Sequence, residues 1–145
     1  MNQKKPSIEN LIDETVLLFH RLRVVADELH GGGELAAGKR GVLKGLYEIG
    51  PQTVPQMARA RPVSRQHIQS LVNPLVEEGY VEFIDNPHHR RSKLVQLTGT
   101  GRVFVEKMQL REAEVFQTLS AKFSESRLTQ ATRTLRSVRE CFEKE

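Results

Sequence analysis

The 145-residue sequence is short of the residues on which several classes of protein depend. It contains a single cysteine, Cys141, so no intramolecular disulfide can form and an oxidising compartment is not implied. No run approaches about 18 apolar residues, and the N-terminus lacks the apolar segment of a signal peptide. No nucleophile elbow, P-loop, HExxH motif or dinucleotide-binding glycine pattern occurs. We therefore expect a cytoplasmic protein that is not an enzyme, has no cofactor and does not enter a membrane.

Charge and apolar content are typical of a folded domain with an anionic partner. Hydrophobic residues make up 38% of the sequence and charged residues 28%, which is not the composition of a disordered chain. The length fits one compact domain with helical extensions. The net charge of +4 favours nucleic acid as the partner, but the positions of the cations must decide this.

Apolar periodicity predicts four helical segments before a hairpin. In the first segment, apolar residues from Ile8 to Leu29 recur mostly at steps of three and four, with Ser7 as a candidate N-cap and Gly31–Gly33 at the end. The second helix is predicted from Ala36 to Ile49. Its inward residues are expected to be Val42, Leu43, Leu46 and Ile49.

The middle of the chain predicts a helix-turn-helix followed by a hairpin. A short helix over Val54–Ala60 precedes a longer one that opens at Ser64. Tyr80–Ile84 and Lys93–Leu97 each have the composition of a short strand, and the turn residues at 85–87 predict a β-hairpin with a long tip. This order is the plan of a winged helix-turn-helix.

Two helices are predicted to close the chain. The first has Thr100 as its candidate cap and runs for about six turns. In the last one, Cys141 falls on the same sector as Leu135 and Val138, where a free cysteine is expected to pack as a small apolar residue. The fold class is therefore mainly α with a small β wing.

The helix that opens at Ser64 is predicted to have two different faces. Its buried face is expected to comprise Ile68, Leu71, Val72 and Leu75, and its exposed face Gln66, Gln69, Ser70 and Asn73, flanked by Arg65 and His67. Glutamine can pair with adenine through two hydrogen bonds, and arginine with guanine, so these side chains suit a DNA major groove. The free N–H groups at the helix start suit a phosphate. The alternative is an ordinary solvated helix face.

Pro74 lies inside this helix. A proline there removes one N–H bond and clashes with the carbonyl of Ser70, at a cost of ~3 kcal/mol. We expect a kink or a change of course after Asn73, which could re-aim the helix or be tolerated locally with Leu75 still buried.

The residues from Leu43 to Gly101 resemble the MarR family of bacterial transcription regulators. The resemblance is carried by GPQTVPQMARARPVSRQHIQSLVNPLVEEGYVE and by RRSKLVQLTGTG, whose internal spacing is similar to that of the family. The long helices before and after are also similar to those of the family. The resemblance implies a DNA-binding lobe at residues 36–100, with dimerisation helices at residues 1–35 and 101–145.

The resemblance also assigns residues to DNA. It places Ser64, Arg65, Gln66, His67, Gln69 and Ser70 at or near the major groove, and His89, Arg90, Arg91 and Lys93 on the wing. Arginines on a flexible tip can read the width and potential of a minor groove. This chain departs from the family at two of these positions, because His89 stands where an acid usually precedes the paired arginines and Ser70 where a basic residue is common.

Taken as a whole, the resemblance implies a ligand-responsive homodimer, a repressor more than an activator, that binds a pseudo-palindromic operator in double-stranded DNA. It further implies a small aromatic effector, whose cavity His20, Arg23 and Tyr47 could line.

Two alternatives stay open. A metal- or thiol-sensing regulator would use His88, His89 or Cys141, although adjacent histidines in an extended tip usually point apart and no metal site is predicted. A winged helix that contacts proteins would bind no DNA.

Overall fold

In the computed structural model, which describes residues 4–31 and 35–143, the chain forms helices and one small sheet. The helices are α1 (Ser7–Leu29), α2 (Ala37–Ile49), α3 (Val54–Ala60), α4 (Arg65–Glu77), α5 (Gly99–Ser120) and α6 (Glu125–Glu140). The strands are β1 (Gln52–Thr53), β2 (Val81–Ile84) and β3 (Leu94–Leu97). The predicted fold class, mainly α with a small β wing, is confirmed.

The chain divides into two compact units, Met1–Met108 and Gln109–Glu145. Among the residues that the structure describes, every buried hydrophobic side chain lies in the first unit. The most completely buried of these are Val42, Leu43, Ile68, Val72, Leu75, Val81, Val95 and Val105. The first unit therefore has its own core, to which α2, α4, the sheet and the start of α5 contribute.

The sheet has the strand order β1-β3-β2, and both pairings are antiparallel. Strands β2 and β3 form the predicted hairpin, in the register Val81 to Leu97. Strand β1 was not predicted, because two residues are too few to show the alternation that identifies a strand. It pairs Thr53 with Leu94 and so joins the start of α3 to the base of the wing.

The ends of α1 and α2 differ in detail from the prediction. Pro6, not Ser7, is the N-cap of α1, since Ser7 is already in the helix and no side-chain cap bond forms there. Gly31 follows the helix with φ +77°, a backbone angle that favours glycine, whereas Gly32 and Gly33 lie outside the described residues. The inward position predicted for Ile49 was wrong: this residue is 71% exposed, because it is the last residue of α2 and lies past the edge of the core.

A buried arginine ties α1 to α2. The side chain of Arg40 is only 7% exposed, and its Nη2 lies 2.6 Å from Oδ1 of Asp27 on α1. Its Nη1 donates to the backbone carbonyl of Leu35 at 2.6 Å. These two contacts therefore compensate the positive charge of the buried Arg40 guanidinium, which would otherwise be costly to bury.

The turn between α3 and α4 seats Arg61 against α2. A Cβ at Gly41 would lie 2.8 Å from Nη2 of Arg61, so the guanidinium occupies space that only glycine leaves open. Burial lowers the pKa of Arg61 below its usual value. Glycine at 41 thus leaves room for the end of the Arg61 side chain against α2.

Helix α4 continues through Pro74 to Glu77, with Leu75 fully buried. The carbonyl of Pro74 accepts a hydrogen bond of 2.9 Å from the N–H of Glu78. The helix therefore does not end at Asn73, and the proline is accommodated within it.

The start of α5 is hydrogen-bonded to the segment that joins α4 to β2. Thr98, not Thr100, provides the cap, since Oγ1 of Thr98 accepts from the N–H of Gly101 at 3.1 Å. The N–H of Thr98 in turn donates to the carbonyl of Tyr80 at 3.1 Å.

Across residues 4–31 and 35–143, no helix combines the length and the apolar character that a membrane span requires.

Candidate nucleic-acid interface

Helix α3 begins with a capping box that also belongs to the sheet. Oγ1 of Thr53 accepts from the N–H of Gln56 at 3.2 Å, and the side chain of Gln56 accepts from the N–H of Thr53 at 2.8 Å. Both bonds satisfy amides that a helix start leaves free. Because Thr53 is also the residue of β1 that pairs with Leu94, the first helix of the helix-turn-helix is held at a fixed distance from the wing.

Helix α4 is anchored by one face and leaves the other free. Oγ of Ser64 accepts from the N–H of His67 at 3.0 Å, so Ser64 is its N-cap. Ile68, Val72 and Leu75 are fully buried, whereas Leu71 is half-buried. Of the residues predicted for the major groove, Gln69 is half-buried and the exposed ones are Ser64, Arg65, Gln66, His67 and Ser70.

The wing tip is held by hydrogen bonds to Asn86 and not by its basic side chains. Oδ1 of Asn86 accepts from the N–H of His88 at 3.0 Å, and the carbonyl of Asn86 accepts from the N–H of His89 at 3.2 Å. The basic residues predicted for the wing are all exposed, namely His89, Arg90, Arg91 and Lys93. In the part of the chain that the structure describes, no carboxylate lies within ion-pair distance of either wing arginine, Arg90 or Arg91.

One cleft brings α4 and the wing together. It has a volume of about 540 Å³ and is lined by Val54, Pro55, Arg65, Gln66, Gln69, Phe83, Arg91, Ser92 and Lys93. Three of these residues are cations, and none of the described residues in the lining is acidic. A concave surface of one sign of charge concentrates an anion at its mouth. The cleft therefore combines a positive field with amide and guanidinium groups that can form directed hydrogen bonds.

The cleft includes half of the residues that the sequence assigned to DNA. Arg65, Gln66, Gln69, Arg91 and Lys93 line it. The assigned residues outside its lining are Ser64, His67, Ser70, His89 and Arg90. All of these assignments stay predictions, since the structure shows where the side chains lie and not what they bind.

Four lining residues were missed by sequence reasoning: Val54, Pro55, Ser92 and Phe83. Phe83 is 37% exposed on β2, between the buried Val81 and the half-buried Ile84. Strand alternation places Phe83 on the same face as Val81, so it would have predicted a buried ring and gave no signal of a position in the cleft. Val54 and Pro55 offer no signal either, because their position depends on the pairing of β1.

The three residues predicted to line an effector cavity lie on two helices. His20 and Arg23 are exposed on α1. The rings of His20 and Phe19 are arranged edge to face, with their centroids 5.8 Å apart. Tyr47 on α2 is half-buried, with the guanidinium carbon of Arg102 at 5.5 Å from its ring centroid. A second cleft of about 570 Å³ is lined instead by Tyr80, Gly99, Thr100, Val103, Phe104 and Lys107. The effector assignment stays a prediction.

Cys141 and the wing histidines bear on the sensing alternatives. The prediction that Cys141 packs as a small apolar residue was wrong: it is exposed at the C-cap of α6, where its Sγ lies 3.3 Å from the carbonyl of Ser137. The helix ends at this point, so no neighbouring turn covers the thiol. Over residues 4–31 and 35–143, no group of three or more histidine, cysteine, aspartate or glutamate side chains is arranged to hold a metal ion.

Two comparisons with known sequences identify relatives of this chain. A sequence model described as the MarR family matches residues 40–92. An uncharacterized protein of Mycobacterium tuberculosis is 35% identical over 96 residues, which cover 62% of this chain and 67% of that protein. The transcriptional activatory protein BadR of Rhodopseudomonas palustris is 28% identical over 116 residues, which cover 70% of this chain and 66% of BadR.

Solved structures share the fold at lower identity. Staphylococcus aureus MarR in complex with salicylate and kanamycin has a TM-score of 0.80 at 14% identity, over 92% of this chain and 90% of that one. Streptococcus pneumoniae FabT in complex with DNA has a TM-score of 0.76 at 16% identity, over 94% of this chain and 98% of FabT. These likenesses show the fold, and the sequence match at residues 40–92 extends over both helices of the helix-turn-helix and most of the wing. The chain belongs to the MarR family of winged-helix proteins.

Proposed function

We propose that this protein is a DNA-binding transcription regulator that acts as a homodimer on a pseudo-palindromic operator. The observation that carries the proposal is the cleft in which the cations Arg65, Arg91 and Lys93 meet the amides of Gln66 and Gln69. The cations suit phosphates or a narrow minor groove, and the amides suit base edges. The complex of FabT with DNA shows that a protein of this fold binds DNA, which supports the proposal.

The proposal divides the chain by role. Residues 36–100 would form the DNA-binding lobe, with dimerisation helices at residues 1–35 and 101–145. Such a regulator works beside the chromosome, so we also propose a cytoplasmic location.

Salt dependence tests DNA binding directly. Each phosphate that a protein neutralises releases counterions, so the logarithm of the binding constant falls linearly with the logarithm of the salt concentration. We expect salt-sensitive binding of the wild type to duplex DNA, and a slope that Arg91→Ala reduces by about 1. Arg133, exposed on α6, is a matched control, because Arg133→Ala removes the same charge far along the sequence from the cleft. If the wild type shows no salt-sensitive binding to DNA at low ionic strength, the proposal is rejected and a winged helix that contacts proteins is favoured.

Self-association is supported by apolar side chains that the single chain leaves in water. On α1, Ile8, Val16, Leu17, Leu18, Phe19 and Leu22 are each about half exposed or more. On α5 and beyond it, Leu110, Phe116 and Phe123 are similarly exposed. Burying large apolar side chains is favourable, so an interface with a second copy that covers them would stabilise the dimer.

A charge placed in the α1 patch tests the dimer. Phe19 is 57% exposed in the single chain, so Phe19→Lys should leave the fold of each chain intact while placing a charge in the interface. We expect the mass measured by light scattering to fall from that of a dimer to that of a monomer. Glu14→Lys, at an exposed polar position of the same helix, should remain dimeric. A wild type that is monomeric at micromolar concentration would contradict this part of the proposal.

Repression and ligand response complete the proposal. The structure of Staphylococcus aureus MarR in complex with salicylate and kanamycin supports a small aromatic effector, so salicylate is the probe to use. An effector that prefers one arrangement of the two DNA-binding lobes would shift the population away from DNA. We expect salicylate to weaken operator binding and to raise expression from an operator-linked reporter. Reduced expression when the regulator is deleted would indicate an activator, as the name of BadR describes that relative.

A further inference from the structure

Helix α4 links one residue of the cleft to a residue one turn further along. Nε2 of Gln69 donates a hydrogen bond of 2.6 Å to Oδ1 of Asn73. Gln69 lines the cleft and is half-buried, whereas Asn73 is exposed and lies outside the lining. A glutamine and an asparagine four residues apart are neighbours on a helix surface, so this bond needs no distortion of the backbone.

The bond fixes which way the Gln69 amide faces. With one N–H committed to Asn73, the amide retains Oε1 as an acceptor and its second N–H as a donor. These two groups lie side by side along one edge of the planar amide. In the major groove adenine presents the complementary pair, with N7 as acceptor and the N6 amino group as donor. Guanine presents two acceptors, so its O6 would face Oε1 of Gln69 without a hydrogen between them.

We propose that Asn73 is a positioning residue that holds Gln69 for the recognition of adenine at one position of each half-site, an inference that rests on the proposed binding to DNA. Gln69 contacts the base, and Asn73 acts only through Gln69. Ordering a long side chain at an interface costs conformational entropy, and a side chain that is already ordered in the free protein avoids part of that cost.

Gln66 provides an internal comparison. It lines the same cleft from the preceding turn of α4, yet within the described residues its side-chain amide has no hydrogen-bond partner. An amide without such a partner can rotate to offer either edge to a base. Sequence discrimination should therefore be stricter at the base read by Gln69 than at any base read by Gln66.

The experiment separates base preference from overall affinity. The preferred operator is first obtained by selecting bound sites from random duplex DNA with the wild type. Binding constants are then measured for duplexes that carry each of the four bases, or 7-deazaadenine, at every position of one half-site. The variants are Gln69→Ala, Asn73→Ala and Asn73→Asp, with Glu77→Ala as a matched control, because Glu77 is exposed on α4 one turn past Asn73.

We expect the wild type to prefer adenine at one position, and Gln69→Ala to lose about tenfold or more of that preference there and nowhere else. 7-Deazaadenine lacks the N7 acceptor, so it should weaken binding of the wild type but not of Gln69→Ala. Asn73→Ala should reduce the same preference about twofold to tenfold. Asn73→Asp keeps the acceptor, so it should retain the preference while its charge weakens binding to all duplexes alike. Glu77→Ala should leave the preference unchanged.

Three outcomes would overturn the inference. In the first, Gln69→Ala does not change the base preference at any position. In the second, Gln69→Ala changes the preference at a position where the wild type prefers guanine. The third is an adenine preference that Asn73→Ala leaves at its wild-type value, because Asn73 would then be an ordinary surface residue. In all three cases salt-sensitive binding to DNA would persist, so the proposed function would stand. Loss of that binding in the wild type would overturn both.

Discussion

Replacing Gly101 by alanine is the most informative single change to the structure. Gly101 is buried in the first turn of α5, beneath the point where β2 begins. A Cβ built on it would lie 2.0 Å from the carbonyl oxygen of Tyr80 and 3.2 Å from Cδ2 of Leu97. Real contacts of a Cβ are essentially never shorter than 3.0 Å, so α5 and Tyr80 would have to separate by at least about 1 Å.

The hydrogen bonds around Tyr80 oppose such a movement. Its carbonyl already accepts from the N–H of Thr98, whose Oγ1 caps Gly101. Overpacking a core costs about 1–3 kcal/mol, and each hydrogen bond lost adds about 1 kcal/mol. The higher helix propensity of alanine offsets about 1 kcal/mol of this. With one of these hydrogen bonds lost, we therefore expect Gly101→Ala to lower the free energy of unfolding by about 1–3 kcal/mol.

Gly99 supplies the matched control in the same helical turn. A Cβ there would meet nothing within 4 Å, so Gly99→Ala should be neutral or should stabilise the protein by up to about 1 kcal/mol. Both variants can be compared with the wild type by urea denaturation followed by circular dichroism, at one protein concentration because unfolding of a dimer depends on it. Equal free energies of unfolding for the two variants would refute the close approach of α5 to Tyr80.

Three further changes test the packing of the rest of the chain by the same denaturation assay. Arg40→Ala should cost about 1.5–3 kcal/mol, because it removes charged hydrogen bonds to the Leu35 carbonyl and to Asp27; a cost below that of an exposed ion pair would contradict this. Thr53→Ala should cost about 1 kcal/mol by removing the N-cap of α3, and an unchanged midpoint would show that the capping box is not formed in solution. Cys141→Ser should change stability by less than about 0.5 kcal/mol, because the thiol is exposed; a larger loss would mean that Cys141 is covered by another chain. In the presence of an oxidant, Cys141→Ser should bind DNA as tightly as the wild type does. If the oxidant releases the wild type from DNA but does not release Cys141→Ser, thiol sensing would be favoured.

The sequence predicts most of the helices well, because each carries apolar residues that recur at the helical period, whether the single chain buries them or leaves them exposed. The limits of α3 agree with the prediction, and α2 begins one residue later than predicted. What periodicity does not show is a contact made by one or two residues. Strand β1 is too short to have a pattern. The cap of α5 depends on a single residue, Thr98, whose Oγ1 accepts from the N–H of Gly101 and whose N–H donates to the carbonyl of Tyr80.

The same limit applies to the cleft. The polar face of α4 follows from the positions of Ile68, Val72 and Leu75, which any helical wheel separates from Gln66 and Gln69. The bond between Gln69 and Asn73 depends on side-chain rotamers, and the inclusion of Arg91 but not Arg90 depends on the path of the wing tip. Neither rotamers nor loop paths are specified by apolar periodicity, so both had to come from the structure.

The wing tip shows what the departure at His89 means physically. The sequence raised the question of whether the paired arginines are held without the acid that usually precedes them, and in the described residues no carboxylate lies within ion-pair distance of either one. The backbone of the tip is nevertheless ordered, because Asn86 accepts hydrogen bonds from the N–H groups of His88 and His89. Order in the backbone with freedom in the side chains suits an arginine that follows a phosphate or a groove width and does not read one base edge. The wing should therefore contribute affinity and salt dependence, while sequence discrimination comes from the recognition helix, where Gln69 is already held.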